Sequence, residues 1–350
     1  VDLATRLGVA GHVHAALVAD PSHGGAPPEA WTRLGSAYYA FGARNALLLA
    51  ALSQVLEALR ARGIPVIVLK GAALVETVYG NLARRTMHDL DLLVHPEHAA
   101  TAGEALEVLG YAPDEWYRPR EWYLANLHHL VPLKRDGVTV EVHHHLLPPS
   151  VPVLVPDAEL WARARATTIG GAPALVLAPE ELVVHLVLHL VLANRWVRGL
   201  SALRDIAEVV ARHGDALDWE RVEAYGAPAP RAIHAGLFVA RDLAGAAVPD
   251  AVLSRLREAG GVSSLESRAI VATARVLAVG IEDDGLVPVW LRAEWAAQLI
   301  EDRAWPTRLL GLARAAVADP ADESGERKRA PGFPERVMRR WRGLVRRLRA

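Results

Sequence analysis

Two short apolar runs, Ile64–Leu69 and Asp89–Val94, limit what this chain can become. The first, rich in β-branched residues, stops at Lys70-Gly71; a short helix-like segment and a polar, basic loop, Asn81–His88, lead to the second. Runs of this length bounded by turn residues read as buried strands. Side chains alternate along a strand, so Asp89 and Asp91 face one side while Leu90 and Leu92 face the other. Two carboxylates side by side at a strand start repel each other unless a cation sits between them. The pattern therefore points to a metal site.

The rest of the chain is arranged around this unit. Residues 1–62 read as N-terminal helices, with apolar residues at helical spacing through Leu48, Leu52, Val55, Leu56 and Leu59. Gly63-Ile64-Pro65 ends the last of them. Residues 63–148 read as an α/β unit: the two strands, a helix over Pro96–Leu109, and a hairpin. The arms of the hairpin are His129–Lys134 and Val138–His145, joined by Arg135-Asp136-Gly137. In its second arm Thr139, Glu141, His143 and His145 share one face, and Val138, Val140 and Val142 the other. A lone acid in a valine-rich strand is costly to bury unpaired. A cation shared with Asp89 and Asp91 would remove that cost. Residues 149–178 read as a connector. Residues 179–318 are predicted helical, with helices near Glu180–Ala193, Leu200–His213, Trp219–Tyr225, Ala229–Leu243, Pro249–Glu258, Ser264–Ala278 and Val289–Ile300. Residues 319–350 read as a linker followed by a basic amphipathic helix.

Composition excludes several classes. With 52% hydrophobic and 23% charged residues the chain is globular rather than disordered. The absence of cysteine excludes disulfides, a zinc–thiolate site and a cysteine nucleophile. The first residues lack a basic start followed by a continuous apolar segment, so no secretory signal is expected. The longest apolar run, Leu182–Ala193, is shorter than the roughly 20 residues a bilayer span needs, and a soluble cytoplasmic protein is the expectation. Only three of 39 basic residues are lysines, so Lys70 stands out against an arginine background.

Asp89, Asp91 and Glu141 are hard oxygen ligands of the kind Mg²⁺ prefers, a cation that commonly completes its shell with phosphate oxygens. Lys70-Gly71 precedes a helix, where backbone N–H groups and an ammonium suit phosphates. Arg85 can neutralise charge on a transferring group or pair with one of the aspartates. His143 is a candidate to orient a ligand, contact substrate or move a proton; a satisfied buried histidine reads equally well.

The segments VIVLKG (Val66–Gly71), RTMHDLDLLV (Arg85–Val94) and VEVHH (Val140–His144) together resemble the bacterial uncharacterised nucleotidyltransferase family, within the DNA polymerase β-type nucleotidyltransferase superfamily. The resemblance implies an α+β fold, a small mixed sheet with flanking helices and a helical C-terminal region. It also implies transfer of a nucleoside monophosphate from an NTP with release of pyrophosphate. By it, Asp89, Asp91 and Glu141 are the metal ligands for Mg²⁺, with Mn²⁺ as the other candidate, and Gly71 lines the nucleotide phosphates; the chemistry of Lys70, Arg85 and His143 adds them to the nucleotide-binding residues. The first turn departs from the superfamily, which usually has Gly-Ser or Gly-Gly where this chain has Lys70-Gly71; Lys70 can take over the serine contact. The acceptor is left open between a small molecule, a peptide and a protein, with nucleic acid not expected. A catalytically inactive binding protein on the same scaffold is the alternative.

Other features read more plainly. His128, His129, His144 and His145 do not share one strand face, which argues against zinc. His185 and His189 share a helix face, without the glutamate a metalloprotease motif requires. Trp116, Tyr117, Trp122 and Tyr123 sit in a stretch suited to stacking on a base. The helix Arg336–Ala350 carries arginines around an apolar stripe and suits a weak membrane or protein contact.

Overall fold

The computed structural model describes residues 1–19, 27–113, 118–151, 155–194, 196, 199–268, 270, 271 and 274. Helices α1 (Asp2–Arg6) and α2 (Ala10–Ala19) precede the 34-residue α3 (Pro28–Ala61). The second half of α3 buries Leu48, Leu52, Val55, Leu56 and Leu59, the stripe its periodicity predicts. Each fully buried leucine contributes on the order of 2 kcal/mol. A Schellman closure ends α3: Gly63 takes a left-handed φ of 69°, and Ile64 N–H donates to the Leu59 carbonyl (3.1 Å).

From there the chain enters a mixed seven-stranded sheet of order β3-β4-β5-β2-β1-β7-β6. Strand β1 (Ile67–Val68) leads into α4 (Lys70–Leu74) and a π-helical turn, Val75–Tyr79. Strand β2 (Asp89–Leu93) runs antiparallel to β1 and is followed by α5 (Ala99–Val108), β3 (Ala112–Pro113) and α6 (Arg120–Asn126). The predicted hairpin is β4 (Leu133–Arg135) and β5 (Val138–His143). Arg135 pairs with Val138, so the turn is the two residues Asp136-Gly137, both at positive φ (51° and 73°), a tighter closure than the three-residue turn expected. Strand β5 lies parallel to β2.

The stretch 149–178, read from sequence as a connector, instead carries structure. Helix α7 (Asp157–Arg163) precedes a hairpin of β6 (Arg165–Ile169) and β7 (Ala172–Val176), closed by Gly170-Gly171 at φ 60° and 85°; β7 then joins the sheet parallel to β1. The prolines before Asp157 masked two strands whose Gly-Gly turn was itself a hairpin signal. Next come α8 (Pro179–Leu188), running into a π-helical turn at His189–Ala193, then α9 (Gly199–His213), α10 (Trp219–Gly226), α11 (Pro230–Ala244) and α12 (Asp250–Ala259). These match the expected helices through 258. The predicted helix at Val289–Ile300, the end of that at Ser264–Ala278, and the linker and arginine helix at 319–350 lie outside the described residues.

The sheet separates two apolar cores. Val66, Val68, Leu90, Leu92, Val94, Val140 and Val142 pack with α3 and α5. Ile67, Leu69 and Leu93 share the other core with α8, α9 and α11. Every residue of α8 is buried, including Glu180 and Glu181, which pair with Arg163. Asp89, Asp91, Glu141 and His143 alternate with the leucines and valines of the first core, so they face the helices of the second.

Candidate active site

Register assembles the site. Parallel pairing sets Asp89 beside Thr139, Asp91 beside Glu141 and Leu93 beside His143. Paired residues on neighbouring strands point to the same face, so acids 50 residues apart meet. His143 Nε2 lies 3.0 Å from Asp91 Oδ1 and 3.5 Å from Glu141 Oε2. Asp91 and His143 are 3% and 1% exposed, while Glu141 and Asp89 are half-buried. Ligand atoms of Asp91, Glu141 and His143 all lie within 4.8 Å of one another, close enough to hold one metal ion. Two carboxylates and an imidazole suit a divalent cation.

Lys70 closes the cluster. It has φ 38°, a left-handed conformation that costs a side-chain-bearing residue about 1–3 kcal/mol. The turn is pinned by Leu69 N–H donating to the Asp91 carbonyl (2.9 Å), and Lys70 Nζ donates to Asp91 Oδ1 (2.9 Å). Burial works to depress the Lys70 ammonium, but Asp91, Glu141 and Asp89 outweigh it and raise its pKa. Burial likewise works to raise Asp91, yet Lys70 and His143 hold its carboxyl well below the usual range. For His143 burial is outweighed by its hydrogen bonds to Asp91 and Glu141, which raise its pKa.

Gly71 lets the next layer approach: a Cβ there would lie 2.9 Å from Arg85 Nη1 and 3.2 Å from Met87 Cγ. Arg85 reaches across to α9. It forms a bidentate pair with Asp205 of α9, Nε to Oδ1 and Nη2 to Oδ2, both at 2.8 Å, and Nη1 donates to the Thr86 carbonyl (3.1 Å). Tyr79 Oη donates to the same Asp205 (2.8 Å). Burial and this hydrogen-bonded acid push the Tyr79 phenol well up. Asn45 of α3, fully buried, donates from Nδ2 to the carbonyls of Leu82 and Arg85 (2.6 Å each) and fixes the loop.

Lys70, Gly71, Arg85, Asp89 and Asp91 line one side of a cleft, and Leu186, His189, Asn194, Ser201 and Asp205 line the other. Of the seven expected site residues, five line this cleft, and Glu141 and His143 adjoin it through Asp91. Sequence reading gave Asp205, Asn45 and Tyr79 no part in the site; partners lying 120, 40 and 126 residues away left no local signal. His185 is fully buried with no hydrogen-bond partner on either ring nitrogen, and its ring centroid lies 5.7 Å from that of His189. Burial, then the Lys70 charge, keeps both imidazoles neutral. Trp122 and Tyr123 lie on α6, Tyr123 buried; Trp116 and Tyr117 fall outside the described residues.

No curated protein matches the chain. Among solved structures the chain is similar to that of the antibiotic-resistance factor ANT(2'')-Ia at 16% identity and a TM-score of 0.36. The match spans 52% of this chain and 90% of that one, and the likeness is too slight to carry an argument. The model of the uncharacterised nucleotidyltransferase family matches residues 1–245, from α1 to the end of α11, and the chain belongs to that family.

Proposed function

We propose that the chain moves a nucleoside monophosphate from an NTP to an acceptor and releases pyrophosphate, using a divalent cation held by Asp89, Asp91 and Glu141. The observation that carries this reading is the in-register pair Asp91–Glu141 on adjacent parallel strands, beside a cleft that Asp89 also lines. When bound, Mg²⁺ or Mn²⁺ supplies charge stabilisation to the attacking and leaving oxygens. The acceptor hydroxyl oxygen attacks the α-phosphorus as the bond to the bridging oxygen of pyrophosphate breaks, and the hydroxyl proton passes to water. Lys70 presents its ammonium at the cleft for phosphate oxygens, and Gly71 keeps the turn open to them. Asp205 holds the Arg85 guanidinium rigid beside them. The acceptor enters along the helical wall of His189, Asn194 and Ser201. Residues 63–148 form the nucleotidyltransferase core in this reading, with the hairpin β6–β7 extending its sheet. Among the described residues no helix is long and apolar enough to cross a membrane.

One contact favours a second reading, a catalytically inactive nucleotide- or partner-binding protein: Lys70 already neutralises the carboxylate a cation would use. Transfer of label from each of four α-³²P NTPs, with Mg²⁺ or Mn²⁺ and a cell extract as acceptor source, separates the two. The enzyme reading expects labelled product and pyrophosphate from wild type, reduced about 100-fold or more in Glu141→Gln. Nucleotide binding without transfer would select the inactive reading.

A further inference from the structure

We propose that His143 is a direct metal ligand, and that its imidazole makes the site select a first-row transition ion such as Mn²⁺ over Mg²⁺. This rests on the metal-site reading above. Three observations carry it. His143 Nε2 lies within hydrogen-bonding reach of Asp91 Oδ1 at 3.0 Å and faces Glu141 Oε2 at 3.5 Å, so the nitrogen shares the space a cation would fill between the two acids. The three ligand atoms fit a single ion. The far side of the ring is also unfinished: His143 Nδ1 is buried without a partner. A ligating histidine places its proton on the nitrogen away from the metal and gives it to a neighbour. The ring of His128 lies 5.2 Å from that of His143, centroid to centroid, and its own Nδ1 is also buried without a partner. Coordination through His143 Nε2 places the ring proton on Nδ1, from which a bridging water can carry a hydrogen bond to His128 Nδ1. Buried unpaired polar atoms are rare enough to need a reason, and this one accounts for two.

The donor set then decides the ion. Mg²⁺ takes oxygen ligands and keeps waters, whereas imidazole suits transition ions. A site built of Asp91, Glu141 and His143 discriminates where an all-carboxylate site would not.

The test uses the full chain and Mn²⁺ alone. Free Mn²⁺ is counted by electron paramagnetic resonance during titration, with Mg²⁺ as competitor, and the bound ion is examined by spin-echo modulation for coupling to imidazole nitrogen. We expect saturable Mn²⁺ binding that survives roughly tenfold more Mg²⁺, with nitrogen modulation in wild type. In His143→Gln the modulation is lost and Mn²⁺ affinity falls roughly tenfold or more. His189→Gln, which removes one of the two imidazoles that line the cleft, keeps the modulation and serves if His143→Gln does not fold. Bound Mn²⁺ without nitrogen modulation, modulation surviving in His143→Gln, or modulation lost in His189→Gln overturns the assignment while leaving the carboxylate site standing. Absence of saturable binding by either ion overturns both.

Discussion

Asn45 is the polar residue on the otherwise apolar buried face of α3, and its two hydrogen bonds hold the loop that carries Arg85. Asn45→Ala removes both partners of the half-buried Leu82 and Arg85 carbonyls, at a cost of about 1–3 kcal/mol. Thermal unfolding of the variant is expected to fall accordingly, with nucleotide affinity reduced because Arg85 loses its support; an unchanged melting temperature would refute this role. At this scale the sequence was partly legible. Strand alternation placed Asp89 and Asp91 on one face and Glu141 and His143 on one face, and both placements hold in β2 and β5. It could not show that Lys70 bonds Asp91, because the left-handed turn aiming the ammonium is a property of backbone, not of residue type. Nor could it show Asn45, whose partners are carbonyls and carry no residue signature.

Between elements, the loop 81–88 is tied to α9 by charge. Arg85 holds Asp205, and Arg84 Nη2 donates to Glu208 (3.0 Å). The guanidinium of Arg85 and the carboxylate of Asp205 are 17% and 4% exposed, so removing one partner strands the other in a poor solvent. Asp205→Ala is expected to lose about 3–5 kcal/mol in denaturant unfolding, well beyond a surface substitution; a loss under 1 kcal/mol would show that the pair is solvated in solution. The elements themselves were read from sequence wherever periodicity was long. Helix α3 and helices α8 to α12 show this. The hairpin β6–β7 was missed because five-residue strands beside prolines offer too little alternation to count.

Across the molecule, the two cores hold the sheet between α3 and α8, and the buried histidines make that arrangement sensitive to acid. His234, 1% exposed, is lowered to about 4 by burial and by Arg257, Arg231 and Arg241; His12 is lowered to about 4 by burial and by Arg204 and Arg84. Both have folded values below the unfolded 6.5, so below about pH 6.5 the unfolded chain binds protons that the folded chain refuses. Their contribution is therefore fully present above pH 6.5 and is lost as the pH falls towards 4. His143, raised, acts in the opposite sense. His234 alone accounts for on the order of 3 kcal/mol over that window, and His234→Gln should flatten the fall in unfolding free energy; an equally steep fall would contradict the burial argument. The central claim is that nucleotide and cation meet on the carboxylates of β2 and β5. Calorimetric titration of an NTP with a non-hydrolysable α–β bond, with and without Mn²⁺ or Mg²⁺, tests it most directly. The variant to compare is Asp89→Asn/Glu141→Gln, which spares Asp91 and so leaves the buried Lys70 paired. Cation-dependent binding to wild type that the double variant loses is the expected result. No binding to wild type with any of the four bases, or undiminished binding to the variant, would contradict it.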